Sequence, residues 1–277
     1  AVVELQGRVS AKIDAIFAVI TRYATVIIWI GFAVVSANYI IELLGQGHGY
    51  RAGDWLINYG GGIVRRGIFG EAVLRLSDML QFSPFLILGV FQIGVFFLIC
   101  YLVTLFFNRL QNSQLMVLML LSPAGLLASA YTMGMSLRKE ILFMLALSVV
   151  LVPVFNGLRL TTRWLGVGIA LYAVAVFAHE GMVFFGPFFL FVIFIYWRIG
   201  AISRTVAMIS ALTIGVAAIA AFSVSMRFAH SDPEAVCAAV LARGLTPYMC
   251  GGAIRWMNTS LAEGIAFTDQ RVFQNYR

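Results

Sequence analysis

Long apolar segments separated by short polar connections recur along the whole chain. A helix needs about 20 apolar residues to cross the hydrocarbon core of a bilayer, and several segments approach that length. They predict seven transmembrane helices, at residues 23–44, 84–107, 115–133, 141–157, 164–178, 182–197 and 205–227. The apolar runs are continuous and do not alternate with polar residues, so the pattern favours an all-α polytopic membrane protein.

Three segments lie outside these predicted spans. Residues 1–20 keep their apolar positions mostly on one side, which is typical of a short helix in the membrane interface. The connection 45–81 follows the first span and holds an amphipathic, interfacial helical piece that begins near Gly70. Residues 228–277 form a tail after the last span. Because no separate soluble segment divides the chain, we expect a single transmembrane domain over residues 1–277.

Lysine and arginine in short connections indicate which side of the membrane each connection occupies. If the N-terminus is cytoplasmic, the short outer connections hold only Arg138 and Lys139. The cytoplasmic segments then hold Arg8, Lys12, Arg22, Arg109, Arg159, Arg163, Arg198 and Arg204. This distribution predicts a multi-pass protein of a bacterial inner membrane with a cytoplasmic N-terminus, and with the 45–81 connection and the tail on the outer, periplasmic face.

Composition agrees with a membrane location. Hydrophobic residues make up 61% of the 277 residues and charged residues only 11%, which is too little polar surface for a water-soluble globule. The 19 Lys and Arg outnumber the 12 Asp and Glu, and this excess suits anionic lipid headgroups. The basic residues are scattered and form no long tract, so the expected partner is the lipid bilayer and not nucleic acid.

The predicted outer tail carries Cys237 and Cys250, in a compartment that permits disulfides. Ser231, with Glu234 three positions later, predicts the start of a helix between them, and Gly244 predicts its end. We therefore predict a disulfide that staples the tail. Two unpaired thiols are the alternative.

The sequence NYGGGIVRRGIFGE places Gly60, Gly61 and Gly62 just before the adjacent Arg65 and Arg66. Glycines let backbone N–H groups approach a ligand closely, and a guanidinium presents a fork of donors that fits phosphate. A helix starting nearby would direct its positive end to the same region. These residues are candidates for binding a pyrophosphate-bearing lipid headgroup. The alternative is a tight turn whose arginines reach ordinary phospholipid headgroups.

Two further polar clusters interrupt apolar sequence. Arg138, Lys139 and Glu140 stand directly before a predicted span, and ionisable residues in such places are candidates for substrate contacts. His179 and Glu180 interrupt a long apolar stretch and suit a general base or a group that positions a sugar hydroxyl or a metal. The H-E-x-x-H zinc motif is not formed. A polar connection and a solvated hairpin tip are the alternatives.

Asp54 lies in the first predicted outer connection, beside Trp55 and close to Tyr59. An acid next to aromatic rings suits sugar recognition, because the rings stack on apolar sugar faces while the carboxylate takes a proton. The alternative is an ordinary turn aspartate with aromatic residues of the membrane interface.

The GG-x-VRRG stretch, the RKE triplet, the His-Glu pair and the paired tail cysteines together resemble a family of bacterial polytopic proteins encoded among polysaccharide-assembly genes. The chain is also loosely similar to membrane glycosyltransferases of the C-type fold and to O-antigen polymerases. The C-type fold carries an acidic residue in its first outer loop, followed by interfacial helices, and Asp54 and segment 68–80 match these in position. The paired acidic motif of that fold is absent from this sequence.

Together these features predict a membrane glycosyltransferase or polysaccharide polymerase that acts on a polyprenyl-phosphate-linked sugar at the outer face. The candidate arginines and lysine would hold the phosphates, and Asp54 or Glu180 would deprotonate the acceptor hydroxyl with His179 assisting. No motif requires a cofactor, and a divalent metal is compatible with the acidic residues. The alternatives are a non-catalytic subunit of a larger membrane complex and a flippase or transporter of lipid-linked glycans.

Overall fold

The computed structural model describes residues 2–45, 51–109, 122, 136–228 and 232–258. These residues form helices and turns, with no strand among them. The α-helices are α1 (Val2–Leu44), α2 (Arg51–Trp55), α3 (Gly67–Leu80), α4 (Pro84–Phe107), α5 (Glu140–Val150), α6 (Val152–Phe155), α7 (Thr161–Ala178), α8 (Gly186–Arg198), α9 (Arg204–Arg227) and α10 (Pro233–Leu241). Short 3-10 helices occupy Tyr59–Gly61, Glu180–Phe185, Pro247–Gly251 and Arg255–Asn258.

Helices long and apolar enough to cross a membrane recur through the described residues. There are five, at Arg22–Leu44, Pro84–Phe107, Thr161–Ala178, Glu180–Arg198 and Arg204–Arg227. The prediction of a helical, multi-pass membrane protein is therefore confirmed, and these helices correspond to five of the seven predicted spans. The predicted span 115–133 lies outside the described residues.

The segment predicted as the span 141–157 forms two shorter helices, α5 and α6. Helix α5 ends at Val150 after 11 residues, a length of about 16 Å that falls well short of the roughly 30 Å of hydrocarbon. The chain turns at Leu151, and the four-residue α6 follows with Pro153 in its first turn, where proline is tolerated because it has no N–H to donate to a preceding turn of helix. Helix α5 packs against α7, where Gly168 leaves no room for a Cβ beside Val150.

Helix α1 is continuous over 43 residues. Residues 2–20 of the segment predicted as an interfacial helix therefore run without a break into the first span. Its span packs on α4 through Ile28, Val35 and Tyr39, which are buried with Cys100 of α4. Cys100 is a buried free thiol, in agreement with a packing role.

Part of the connection after the first span is an interior segment. Residues 51–58 are all buried, and Trp55 shares one hydrophobic core with Val236 and Met249 of the tail. Gly53 is required at this contact, because an added Cβ would lie 2.6 Å from the Met249 carbonyl oxygen. The tail thus packs directly onto the connection.

The predicted disulfide between Cys237 and Cys250 is present, with the two Cα atoms 5.6 Å apart. It ties α10 to the 3-10 turn Pro247–Gly251. The N-cap of α10 is Asp232, whose carboxylate accepts a 2.9 Å hydrogen bond from the Glu234 backbone N–H. Ser231, the predicted cap, lies outside the described residues. Gly244 adopts φ +77° just beyond the end of α10, as expected for a residue that follows a helix.

Candidate functional site

Charged side chains from four separate segments meet near the junction of α7 and the next span. We call the following residues the charged cluster: Asp54, Arg65, Arg66, Arg138, Lys139, Glu140, His179 and Glu180. Its central contact joins residues 114 positions apart in the sequence. Arg66 donates from Nε to Glu180 Oε2 at 2.8 Å and from Nη2 to Glu180 Oε1 at 2.6 Å, which is the two-point geometry that suits guanidinium and carboxylate groups.

The backbone at Arg66 adopts a left-handed conformation, with φ +64°. Residues with a Cβ rarely occupy this region, so the surrounding contacts must hold it. Lys139 Nζ donates to the Arg66 carbonyl oxygen at 3.0 Å, while Glu180 holds the guanidinium. Helix α3 begins at the next residue, Gly67. Each Arg66 contact therefore helps to aim the arginine into the charged cluster.

Arg65 is the more open of the two arginines. Its Nη1 lies 3.4 Å from Glu180 Oε1, and 31% of its side chain is exposed. Its backbone N–H donates to the Phe228 carbonyl oxygen at 3.3 Å, just after α9. Arg65 can therefore turn toward a ligand without breaking a short ion pair.

Asp54 is buried, with 2% of its side chain exposed. Its Oδ1 lies 3.8 Å from Arg66 Nη1. Neither carboxylate oxygen accepts a hydrogen bond from the described residues. A buried carboxylate without hydrogen bonds is costly, so Asp54 is the residue of the charged cluster with the most unused capacity to accept a proton or a hydrogen bond.

The side chains of the triplet Arg138, Lys139 and Glu140 point in two directions. Lys139 is fully buried and points to Arg66, whereas Arg138 Nη2 lies 3.3 Å from Glu140 Oε1. Glu140 opens α5, where a negative charge interacts favourably with the positive end of the helix. Burial lowers the pKa of Lys139 to about 8, although the negative charge of Asp54 opposes this change.

This change in pKa predicts a pH-dependent stability. Because folding lowers the pKa of Lys139 from 10.5 to about 8, the folded chain binds fewer protons than the unfolded chain between these values, and stability attributable to Lys139 rises with pH there. Below pH 8 the cost of burying the charged amine is fully present. We expect the melting temperature of wild type, relative to Lys139→Met, to increase from pH 8 to 10. Parallel pH profiles of the two proteins would contradict this.

His179 links α7 to the next 3-10 helix in an extended conformation. Its Nδ1 accepts a 3.1 Å hydrogen bond from the Gly181 backbone N–H, so a neutral ring carries its proton on Nε2. Burial, and then the positive charge of Arg66, lowers the pKa of His179. His179 is thus a neutral hydrogen-bond donor at pH 7. Across the residues that the structure describes, no group of three or more His, Cys, Asp or Glu could hold a metal ion.

The glycine run packs against the tail. A Cβ on Gly60 would lie 3.0 Å from that of Ala239, and one on Gly61 would lie 2.5 Å from the Asp232 carbonyl oxygen. Gly62 has φ +101°, and a Cβ there would meet no described atom within 4 Å. Gly60 and Gly61 therefore have a packing explanation, and only Gly62 leaves open space for the ligand contact predicted for all three.

The aromatic neighbours of Asp54 do not form the predicted sugar platform. Trp55 is fully buried, where its ring packs edge-on against Phe69 and Phe91 at centroid distances of 5.4 and 5.6 Å. The prediction that a sugar stacks on Trp55 is therefore wrong, because both faces of the indole ring are covered. Tyr59 is half-buried and lies against Gly67.

Sequence reasoning missed Gln92, which lies in the middle of α4 and is fully buried. Its Nε2 donates to the Leu137 carbonyl oxygen at 2.6 Å, and its Oε1 accepts from the Tyr39 hydroxyl. Trp55 Nε1 donates to the same carbonyl at 3.0 Å. Gln92 thus positions the turn that carries Lys139. The signal was available, since an amide in an apolar span is costly unless it is hydrogen-bonded.

Helix α10 contacts the segment that leads to Arg65 and Arg66, because Asn58 Nδ2 donates to the Val236 carbonyl oxygen at 3.1 Å. The adjacent Cys237 ties α10 to Cys250, so the disulfide supports this contact. We expect Cys237→Ser with Cys250→Ser to lower the free energy of unfolding by about 3 kcal/mol and to speed amide hydrogen exchange over residues 58–66. Reductant should lower the melting temperature of wild type and leave that of the double variant unchanged. Unaltered exchange over residues 58–66 would show that the turn does not depend on the disulfide.

Comparison of the chain with protein-family models, curated proteins and solved structures finds no match.

Proposed function

We propose that the protein is a membrane glycosyltransferase or polysaccharide polymerase that acts on a polyprenyl-phosphate-linked sugar at the outer face of a bacterial inner membrane. The observation that carries this proposal is the buried Asp54 carboxylate, which accepts no hydrogen bond from the described residues and lies 3.8 Å from Arg66. A general base must have a free oxygen beside its substrate, and an anionic leaving group needs nearby cations.

The place of the charged cluster in the fold suits a lipid-linked substrate. His179 and Glu180 connect two helices that are each long and apolar enough to cross the membrane, so the cluster lies at one end of both. A lipid with its chain in the bilayer presents its phosphate and sugar at that depth. The distribution of Lys and Arg in the short connections supports the outer face.

The charges of the cluster suit an added anion. Four cationic side chains (Arg65, Arg66, Arg138 and Lys139) face three carboxylates (Asp54, Glu140 and Glu180), and His179 is neutral at pH 7. One positive charge is therefore in excess. Helix α3 begins beside the arginines without a side-chain cap from the described residues, and its positive end adds to their attraction for phosphate.

In the proposed reaction, Asp54 removes the proton of the acceptor hydroxyl. The hydroxyl oxygen then attacks the anomeric carbon of the lipid-linked sugar. The bond between that carbon and the phosphate oxygen breaks, and its electron pair remains on the phosphate. Arg65 and the Lys139 ammonium group stabilise this charge. Glu180 is held by Arg66 at two points, so it serves to position Arg66 and is less suited to act as the base. His179 donates a hydrogen bond from Nε2 to a sugar oxygen.

The direct test is transfer of a labelled sugar from a polyprenyl-phosphate carrier in proteoliposomes that contain the purified protein. Transfer that requires the protein and the carrier supports the proposal. Absence of transfer by folded protein, across a panel of carriers and acceptors, would overturn it.

A non-catalytic subunit of a larger membrane complex is the second candidate. The observation that favours it is the close pairing of Arg66 with Glu180, because charges that satisfy each other can serve packing alone. This candidate requires that Asp54 tolerate substitution in the assembled complex, whereas the enzyme requires its carboxylate.

A further inference from the structure

The exposed side of helix α3 is divided into a polar stripe and an apolar stripe. Polar residues occupy one stripe, formed by Glu71, Arg75 and Asp78. Apolar residues occupy the adjacent stripe, formed by Ile68, Ala72, Leu76 and Met79 at helical spacing. We call this second set the α3 stripe. Its three large members are 51%, 40% and 70% exposed, so an apolar surface continues along the length of the helix.

The contacts of the polar stripe establish how α3 is oriented. Arg243 of the tail donates to Asp78 from Nε at 2.8 Å and from Nη2 at 2.5 Å. The tail therefore contacts the charged side of α3 at Asp78, and Val73 and Leu74 are buried in the core on a third side. The α3 stripe is therefore exposed beside a polar stripe in which Arg75 is exposed as well, an arrangement that suits a helix at the boundary between polar chain and lipid.

The α3 stripe begins where the charged cluster ends. Arg66 is the N-cap of α3, and Ile68 follows two residues later. From Ile68 to Met79 the stripe extends about 16 Å at 1.5 Å per residue. The partly exposed Arg65 at one end and an apolar surface along the rest match an amphiphile with an anionic head and a long hydrocarbon chain.

We propose that the α3 stripe is the track for the isoprenoid chain of a polyprenyl phosphate whose phosphate is held by Arg65. This inference rests on the proposed function and extends it, because it assigns a place to the lipid chain and makes recognition depend on chain length. The two alternative occupants are bulk phospholipid chains and the helix of a partner subunit.

Binding can be tested without any transfer reaction. A photoactivatable polyprenyl phosphate in proteoliposomes should label the peptide that contains residues 67–80, and unlabelled polyprenyl phosphate should compete. Excess phospholipid should compete poorly. Equal competition by phospholipid would show an ordinary bilayer-facing surface, and no labelling of this peptide would show that another chain covers it; either result overturns the track.

Transfer kinetics supply the second arm. We expect Met79→Ser and Leu76→Ser each to raise KM for a long-chain carrier about tenfold and to leave KM for a short-chain, water-soluble analogue unchanged. Leu212→Ser is the matched control, because Leu212 of α9 is 69% exposed, close to the 70% of Met79. Equal effects on both carriers, or none on either, would overturn the track.

The two arms separate the two proposals. If wild type transfers no sugar but competed labelling of residues 67–80 persists, the proposed reaction fails and the lipid track stands. If transfer occurs with no dependence on chain length and labelling is not competed, the reaction stands and the track fails.

Discussion

We expect Asp54→Asn to transfer sugar about 100- to 10,000-fold more slowly than wild type, the range typical for loss of a general base. The amide has nearly the same shape as the carboxylate but cannot take up the acceptor proton. Asp54 accepts no hydrogen bond from the described residues, so the substitution removes none, and the melting temperature should change by only a few degrees. The measurement is single-turnover transfer in proteoliposomes, paired with thermal unfolding.

Glu234→Gln is the matched control for Asp54. Glu234 is an exposed carboxylate in the first turn of α10, outside the charged cluster, and its substitution should leave transfer unchanged. Full transfer by Asp54→Asn would remove Asp54 from the reaction and would favour the subunit interpretation. Loss of transfer together with loss of folding would call for Asp54→Ser as a second, smaller replacement.

The second large effect concerns the pairing of Arg66 with Glu180. We expect Arg66→Gln and Glu180→Gln each to lower the free energy of unfolding by about 3 kcal/mol, because each leaves a poorly solvated charge without its main partner. Only 23% of the Arg66 side chain and 17% of the Glu180 side chain are exposed. The double variant should be more stable than the sum of the two losses predicts, since neither charge is then left alone.

The same connection provides a control pair. Arg75 Nε lies 2.7 Å from Glu71 Oε1, but Arg75 is 78% exposed. An exposed pair of this kind contributes roughly 0.3–0.5 kcal/mol, so Arg75→Gln should hardly change the unfolding transition. If Arg66→Gln were no more destabilising than Arg75→Gln, the contact between Arg66 and Glu180 would not be a structural centre of the protein.

Local patterns predicted much of the architecture. Continuous apolar runs are a property of neighbouring residues, so they locate helices such as α4 and α9 with ends that agree within one residue. The segment predicted as the span 141–157 forms the shorter helices α5 and α6, because Pro153 in the first turn of α6 has no N–H for a helical hydrogen bond, a feature that length and hydropathy do not register. The disulfide was predictable, because two cysteines in a short tail have few possible partners.

The candidate site was only partly predictable. The sequence indicated which residues are unusual, since ionisable side chains in an apolar chain require a reason. It did not indicate that Gly60 and Gly61 would pack on the tail or that Trp55 would be buried. Both depend on residues distant in sequence, because Gly60 packs on Ala239 of the tail and Trp55 packs on Phe69 of α3 and Phe91 of α4.

By itself, then, the sequence determined the membrane class, the positions of most long helices, the disulfide and the identity of the charged residues, because each depends on local spacing or on residue chemistry. Only the tertiary structure decided that Arg66 meets Glu180, that Lys139 binds the Arg66 carbonyl, and that Asp54 is left without hydrogen bonds. Contacts across such sequence distances follow from how the helices pack, and packing depends on the whole set of apolar surfaces at once.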